Sequence, residues 1–453
     1  MKVGFGKVVI TPPVGSSLQG YFQDRRSVDI RDDLYASCVA FDDNEDIFVV
    51  ISCDLCNLSD NITKKVREIL LKENGIKKGN VLIHATHTHT GPVVDFTEES
   101  IYTKGFYIEK SYLEVLPFYI ASSVKIALRR RQEAKIAVGK NEVDGISFNR
   151  RYLMKDGRVI TNPFNQIENI VKPAGEVDKT LTFLKIDDNE SGKIKGIIVN
   201  FALHPDTLGD NLISSDWPGF LRDELKKEFG EIEVIVLNGP SGDINHINPF
   251  DYKTRSTNIG KEIAKKITEK VKEKIDVKAT EIKKIQPFYF PMNLDYREIT
   301  EKVYRKAKEI LKKEKKTSLK YMIASGIVSI YKEKRKNKSI KVDLNGVKIG
   351  DKTILIGICG EIFVEIGMNI KKILGIENTI IAQNSNWHLG YIPTKRAFQQ
   401  YEKNLEIKEI EDIDLTEAIG INTSYETLPM ASKVNKNTEE KIYSTISKIK
   451  AIS

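Results

Sequence analysis

The sequence predicts an α/β fold with central β-sheets flanked by helices. Three observations carry that expectation. Several segments are apolar from end to end and rich in Ile and Val, as strands buried on both faces are. Amphipathic stretches at helical spacing follow several of them. A charged or imidazole residue stands just past the end of one run after another.

In chain order the strand runs are Ile47 to Cys53, Val81 to Ile83, Gly196 to Leu203, Glu233 to Leu237, Thr353 to Ile358 and Thr379 to Ala382. Behind Asp60, the residues Ile62, Val66, Ile69 and Leu70 share one helical face. Asp216, ahead of Trp217-Pro218, reads as an N-cap with proline in the first turn. Ile259, Ile263, Ile267 and Val271 form another apolar stripe, and Gly375 suits the end of a helix begun near Phe363. The Lys/Glu-rich stretch at about 279–342 is expected to hold two helices, as a subdomain or cap. A terminal surface helix is expected after Thr438. No repeat, low-complexity tract or Pro/Ser-rich linker divides the chain, which predicts one domain over 1–453.

Of the 453 residues, 40% are hydrophobic and 30% charged, the balance of a soluble globular protein. No apolar run approaches the roughly 20 residues of a membrane span. The first seven residues lack the apolar core and cleavage site of a secretory signal, so a cytoplasmic location is the expectation. The net charge of +8 raises nucleic-acid binding as an explanation. However, the Lys-rich stretch from Lys306 to Lys341 is interleaved with glutamates and apolar residues at helical spacing, the pattern of a solvated helix face, and no nucleic-acid partner is expected. Abundant Lys, Glu and Ile with few His, Cys, Met and Trp fits a heat-adapted protein. The four cysteines suit a reducing compartment; Cys53 and Cys56 lack the second ligand pair of a zinc knuckle and read as buried thiols. Oligomeric state is left open.

The residues that follow the strands are Asp54, His87 and His89, His204, Asp243, Glu361, then His388 and Tyr391. Ligands of open α/β sheets bind beyond the carboxyl ends of strands, so these side chains are expected to converge. All six histidines (His84, His87, His89, His204, His246 and His388) fall at strand ends or in the loops beyond, and none on the Lys/Glu helices. His87 and His89 project to one side if the pleat continues through Thr88, and His84 to the other. A catalytic zinc takes three His or carboxylate ligands and keeps one position for water; His87, His204 and Glu361 would supply that set. A helix-dipole role for Glu361 stays open at this level. The loop from Asn238 to His246 lacks the Gly-Lys-Ser/Thr ending of a phosphate cradle, and Ser241 lacks the flanks of a nucleophile elbow.

Together these residues resemble the neutral/alkaline ceramidase family, in its N-terminal catalytic domain. The likeness rests on Ile10-Thr11-Pro12-Pro13, Gly20-Tyr21, Asp33-Leu34-Tyr35-Ala36, Ala85-Thr86-His87-Thr88-His89-Thr90-Gly91-Pro92, Asn149-Arg150 and Asn200-Phe201-Ala202-Leu203-His204 with Ser215-Asp216. It continues in Gly242-Asp243, Gly360-Glu361 and Gly390-Tyr391-Ile392-Pro393-Thr394 leading to Tyr401-Glu402. The Thr-His-Thr-His-Thr-Gly-Pro block is the most specific. The resemblance implies a zinc amidase, with His87, His204, Glu361 and Tyr391 as Zn2+ ligands and His89 and Arg150 handling the scissile amide. Asn245 stands where the family pattern Gly-Asp-x-Ser carries serine, which moves the attack to water. No C-terminal immunoglobulin-like domain is expected.

The expected reaction is hydrolysis of an N-acyl bond in a small molecule, N-acylated or sugar-like. His89 would shuttle the proton, and Arg150 with Tyr391 would stabilise the oxyanion. Asp243 and Asn245 would orient ligands or water, and His246, His388 and Trp387 would line the pocket. The alternatives are an esterase or lactonase, a phosphoesterase with a second metal on Asp54 or Asp243, and a non-catalytic protein holding a structural metal.

Overall fold

The computed structural model describes residues 1–94, 106–256, 259–316, 318–406 and 424–452. Eight strands make the larger sheet: β1 (Lys2–Val9), β2 (Tyr35–Asp42), β3 (Ile47–Cys53), β4 (Val81–Ala85), β5 (Gln132–Glu142), β6 (Thr180–Asp188), β7 (Ile194–Phe201) and β8 (Glu233–Asn238). They run in the order β8-β7-β6-β5-β1-β2-β3-β4. The inner pairs are antiparallel; the outermost, β3 with β4 and β7 with β8, are parallel. A parallel pair needs a crossover, and helices supply both. The first is α1 (Asp60–Asn74), and α2 (Lys110–Arg129) lies against β1 and β2. The second is α3 (Asp216–Phe229), against which α4 (Ile259–Lys272) packs.

A smaller sheet takes β9 (Ile285–Leu294), β10 (Ile340–Ile349), β11 (Thr353–Gly357) and β12 (Asn378–Ala382) in that order. Helices α5 (Glu301–Lys313) and α6 (Leu319–Lys336) sit between β9 and β10 in sequence. Another parallel pair, β11 with β12, is joined through α7 (Val364–Leu374). Then come α8 (Lys395–Glu406) and α9 (Thr438–Ile452).

The larger sheet curls on itself. Ser52 of β3 donates to the Val236 carbonyl of β8 at 2.7 Å, and the smaller sheet closes the space between. Phe5, Phe48, Leu82, Leu184, Ile198 and Leu237 from one sheet meet Val347, Leu355 and Ile380 from the other in a single apolar layer. Burying one such side chain is worth about 1.5–3 kcal/mol, so this layer sets the sheet-to-sheet geometry and holds the parallel strand ends together.

The structure amends several expectations. The pleat stops at Ala85, and His87 takes a left-handed backbone, φ 73°, so His87 and His89 do not alternate as strand residues. The apolar stripe behind Asp60 does form, on α1, and the helix is capped by Ser59, whose Oγ accepts from the Ile62 amide at 3.3 Å. Asp216 opens α3 at φ 59°, its carboxylate taken by the amides of Thr207 and Trp217 and the Thr207 hydroxyl. At 279–342 the two helices are preceded by β9, which pairs with β10 over ten residues and joins the main body. The final helix is not a surface helix: Ile442, Ile446 and Ile449 are fully buried on the core of the smaller sheet.

Candidate functional site

After β4, the segment Thr86 to Thr90 is pinned at nearly every residue. The amides of Thr86, His87 and His89 donate to the carbonyls of Cys53, Leu55 and Pro205. The Thr88 and Thr90 hydroxyls both donate to the Ser214 carbonyl, at 2.7 and 2.8 Å. Threonine suits these positions because it is short and carries its own donor, so a buried turn is satisfied without extra bulk. The left-handed residue at His87 swings its ring inward; such strain persists only where surrounding bonds hold it.

His87 Nδ1 lies 2.5 Å from the Cys56 carbonyl and His204 Nδ1 3.1 Å from the Ser241 carbonyl. A carbonyl only accepts, so both Nδ1 atoms carry hydrogen and both rings turn Nε2 inward, as a lone pair whenever the ring is neutral. Those two Nε2 atoms are 3.0 Å apart. Glu361 Oε2 lies 3.2 Å from one and 3.7 Å from the other. All three side chains are buried, and Oε2 has no hydrogen-bond partner.

Three electron-rich atoms facing one another need a proton or a cation between them. Burial pulls the His87 pKa down, but the Glu361 carboxylate outweighs it and holds it well above the usual value. Burial also raises Glu361, yet the facing His87 keeps it ionised below the usual carboxylate range. Burial, and then the neighbouring His87, hold the His204 pKa well below its usual value. The separations of 3.0–3.7 Å also match the about 3.3 Å between two ligands of a tetrahedral zinc at roughly 2.0 Å from each. A divalent ion therefore fits this donor set.

Tyr391 pairs with Glu361 across two short parallel strands, Glu361–Ile362 and Tyr391–Ile392. Its hydroxyl accepts from Arg150 Nη2 at 3.1 Å. The buried Arg150 also donates from Nη2 to the Gly242 carbonyl at 2.8 Å and from Nε to Glu426 at 2.8 Å. Its guanidinium lies over the Tyr425 ring, 5.2 Å from the centroid.

His89 turns Nε2 toward His87, 3.4 Å away, and Nδ1 toward Asp206 Oδ1, also 3.4 Å. Asp206 accepts in addition from the Tyr21 hydroxyl, whose ring stands edge-on to His89 at 5.2 Å. Burial lowers the His89 pKa despite Asp206, so its resting form is neutral.

Other expected residues go elsewhere. Asp243 accepts from Asn149 Nδ2 at 2.9 Å and from the Val364 amide at 2.8 Å, while its own carbonyl takes the Arg150 amide. It braces the backbone of Arg150 and does not face the histidines. Asn245, on a short strand paired with Phe148–Asn149, donates to Asn162 Oδ1 at 2.9 Å and accepts from the Ile247 amide. Asp54 is bidentate to Arg222 at 3.0 and 2.7 Å. Each of the carboxylates offered for a second metal, Asp54 or Asp243, is thus already taken by hydrogen-bond partners. His84 is a satisfied core histidine: Nδ1 meets the Gln383 carbonyl at 2.6 Å and Nε2 accepts the Asn238 amide at 3.0 Å. His246 is buried and His388 half-buried; burial lowers both, His388 to about 4, while Asp206 acts on His246 and Glu361 on His388 in the opposite sense, which places both close to the site. Trp387 lines a groove of about 870 Å³ with Arg67, Tyr289 and Met292, to which none of the converging histidines contributes. Cys56 Sγ lies 3.8 Å from His87 Nδ1, on the ring edge away from Glu361.

Sequence reasoning missed Asp206, Tyr425 and Glu426. Asp206 had a signal, standing two residues past His204 in the same strand-end loop; Tyr425 and Glu426 follow no strand and carry none.

Fold and site together define a mixed α/β protein with a buried His-His-Glu donor set beyond the ends of the three helix-linked parallel strand pairs. The chain belongs to the neutral/alkaline non-lysosomal ceramidase family, whose N-terminal model matches residues 1–353. It is similar to neutral ceramidase B of Dictyostelium discoideum, 26% identical over 245 residues, which are 49% of this chain and 33% of that protein. The match thus spans about a third of the curated relative. The crystal structure of neutral ceramidase from Pseudomonas aeruginosa superposes with a TM-score of 0.72 at 15% identity, covering 100% of this chain and 74% of that one. A ceramidase complexed with C2 gives 0.70 at 15% identity, covering 99% and 74%.

Proposed function

We propose that this protein is a zinc-dependent amidase that hydrolyses an N-acyl bond of a small molecule. The observation that carries the reading is the orphaned Oε2 of Glu361 facing the inward Nε2 atoms of His87 and His204. Family membership supports the bond class, the amide of ceramide.

His87, His204 and Glu361 would hold the ion, with Tyr391 beside Glu361 as a fourth donor. When bound, zinc lowers the pKa of water and polarises a carbonyl. The chain supplies the rest. His89 Nε2, neutral at rest, takes the proton of the attacking water, and Asp206 at Nδ1 stabilises the imidazolium that results. His89 then returns that proton to the departing amine. Arg150 meets the negative charge that develops on the carbonyl oxygen. The Thr88 and Thr90 anchors keep the two histidines at the spacing this transfer needs.

The test is metal analysis with turnover of N-acyl amines of short and long chain, for wild type, His87→Ala and His89→Ala. His87→Ala should lose both metal and activity. His89→Ala should keep about one zinc per chain and lose on the order of a hundredfold or more in kcat. Silence of the wild type on every amide would overturn the reading, as would loss of metal from His89→Ala equal to that from His87→Ala.

A further inference from the structure

Glu426 is fully buried and collects polar donors. Its Oε1 takes Arg150 Nε at 2.8 Å, and its Oε2 takes the hydroxyls of Thr161 at 2.7 Å and Ser424 at 2.9 Å. Ser424 in turn accepts from Arg151 Nε at 2.6 Å. A carboxylate with three polar partners from separate side chains, one of them itself held by Arg151, has one available orientation.

The geometry points to Glu426 as the residue that positions Arg150 for the reaction. This rests on the amidase reading above. A guanidinium is planar, so fixing Nε on Glu426 and Nη2 on the Gly242 carbonyl and Tyr391 hydroxyl fixes the whole group. Among the described residues, Nη1 then remains without a hydrogen-bond partner, the donor left for substrate. Glu426 is the only charged acceptor of the three. Gly242 and the Tyr391 hydroxyl are weaker partners, and a cation bound at His87, His204 and Glu361 would repel Arg150 from the position these bonds define. Glu426 supplies the opposing charge from the far side, and the Tyr425 ring, edge-on to Tyr391 at 5.8 Å, closes the space between. A buried Arg–Glu pair is also a common structural device, and removing one partner then destabilises the fold. The experiment must separate the two.

Glu426→Gln keeps the size and an acceptor oxygen but loses the charge. We expect kcat to fall roughly tenfold to a hundredfold with KM and zinc content unchanged. In an Arg150→Ala background the same change should cost less than about twofold more, because Glu426 acts through Arg150. Full additivity of the two losses, or a drop in melting temperature and metal content with wild-type kcat in the folded fraction, would overturn the proposal. A second readout needs no turnover. The Arg150 Nε–H resonance, assigned by its loss in Arg150→Lys, should exchange with solvent faster in Glu426→Gln; unchanged exchange also overturns it. An inactive wild type would refute the amidase reading, while the exchange measurement would still decide whether Glu426 holds Arg150.

Discussion

Gly20 shows how much one missing side chain can matter. Its φ of 118° is a backbone that L side chains avoid, and a Cβ built there would fall 2.4 Å from Cγ of His89. The turn carrying Gly20 and Tyr21 therefore lies flat on the ring that we assign to proton transfer. Gly20→Ala must either shift that turn or push His89 away from His87. We expect a stability loss of about 1–3 kcal/mol from backbone strain and a fall in kcat of roughly tenfold or more, with zinc retained. Equilibrium unfolding, metal analysis and turnover read the three quantities; wild-type turnover would show that the site tolerates His89 moving. At this scale the sequence was legible where chemistry crowds into one segment. His87, His89, His204 and Glu361 all follow apolar runs, and all four converge. Asp243 and Asn245 follow a run as well, but their side chains are consumed by Asn149, Val364 and Asn162, partners that no local pattern announces.

Between elements, His84 ties the two edges of the curled sheet. It belongs to β4, accepts from the amide at the end of β8, and donates to Gln383 just past β12. Burial lowers its pKa from the ordinary 6.5 to about 3. The folded protein thus holds His84 neutral while the unfolded chain takes a proton below about pH 6.5. Its contribution to stability is complete above that value and is lost as pH falls toward 3, by at most about 1.4 kcal/mol per pH unit. His84→Gln removes that titration along with the bonds. The stability gap between wild type and variant should then be widest at pH 7 and narrow at pH 5 in urea titrations; an equal gap at both would contradict a neutral buried His84. The element scale also explains which strands were readable. Those of the parallel pairs are buried on both faces and are apolar throughout, as in Val81–Ala85. Antiparallel β5 and β9 mix exposed and buried positions, so neither stood out. The closing helix was recognised but not its burial, because Ile442, Ile446 and Ile449 are too few to declare a core face on their own.

For the whole molecule, the donor set joins parts of the chain that lie far apart in sequence. His87 follows β4, His204 follows β7, and Glu361 follows β11 of the other sheet. An ion bound there engages the folded chain and not the unfolded one, and so stabilises by RT ln(1 + [L]/Kd), about 4 kcal/mol at a thousandfold excess over Kd. Unfolding entropy of about 2 cal/mol/K per residue comes to roughly 1 kcal/mol/K for 453 residues. Chelation should therefore lower the melting temperature by only about 4 °C, because the apolar layer between the sheets, not the ion, supplies most of the stability. His89→Ala, which touches no proposed ligand function, should show the same shift. His87→Ala should show almost none, having no ion to lose. A structural metal behaves differently: stripping it would abolish cooperative melting, and His89→Ala and His87→Ala would then be equally damaging. Three scanning-calorimetry traces, each with and without chelator, separate an ion held for chemistry from one held for folding.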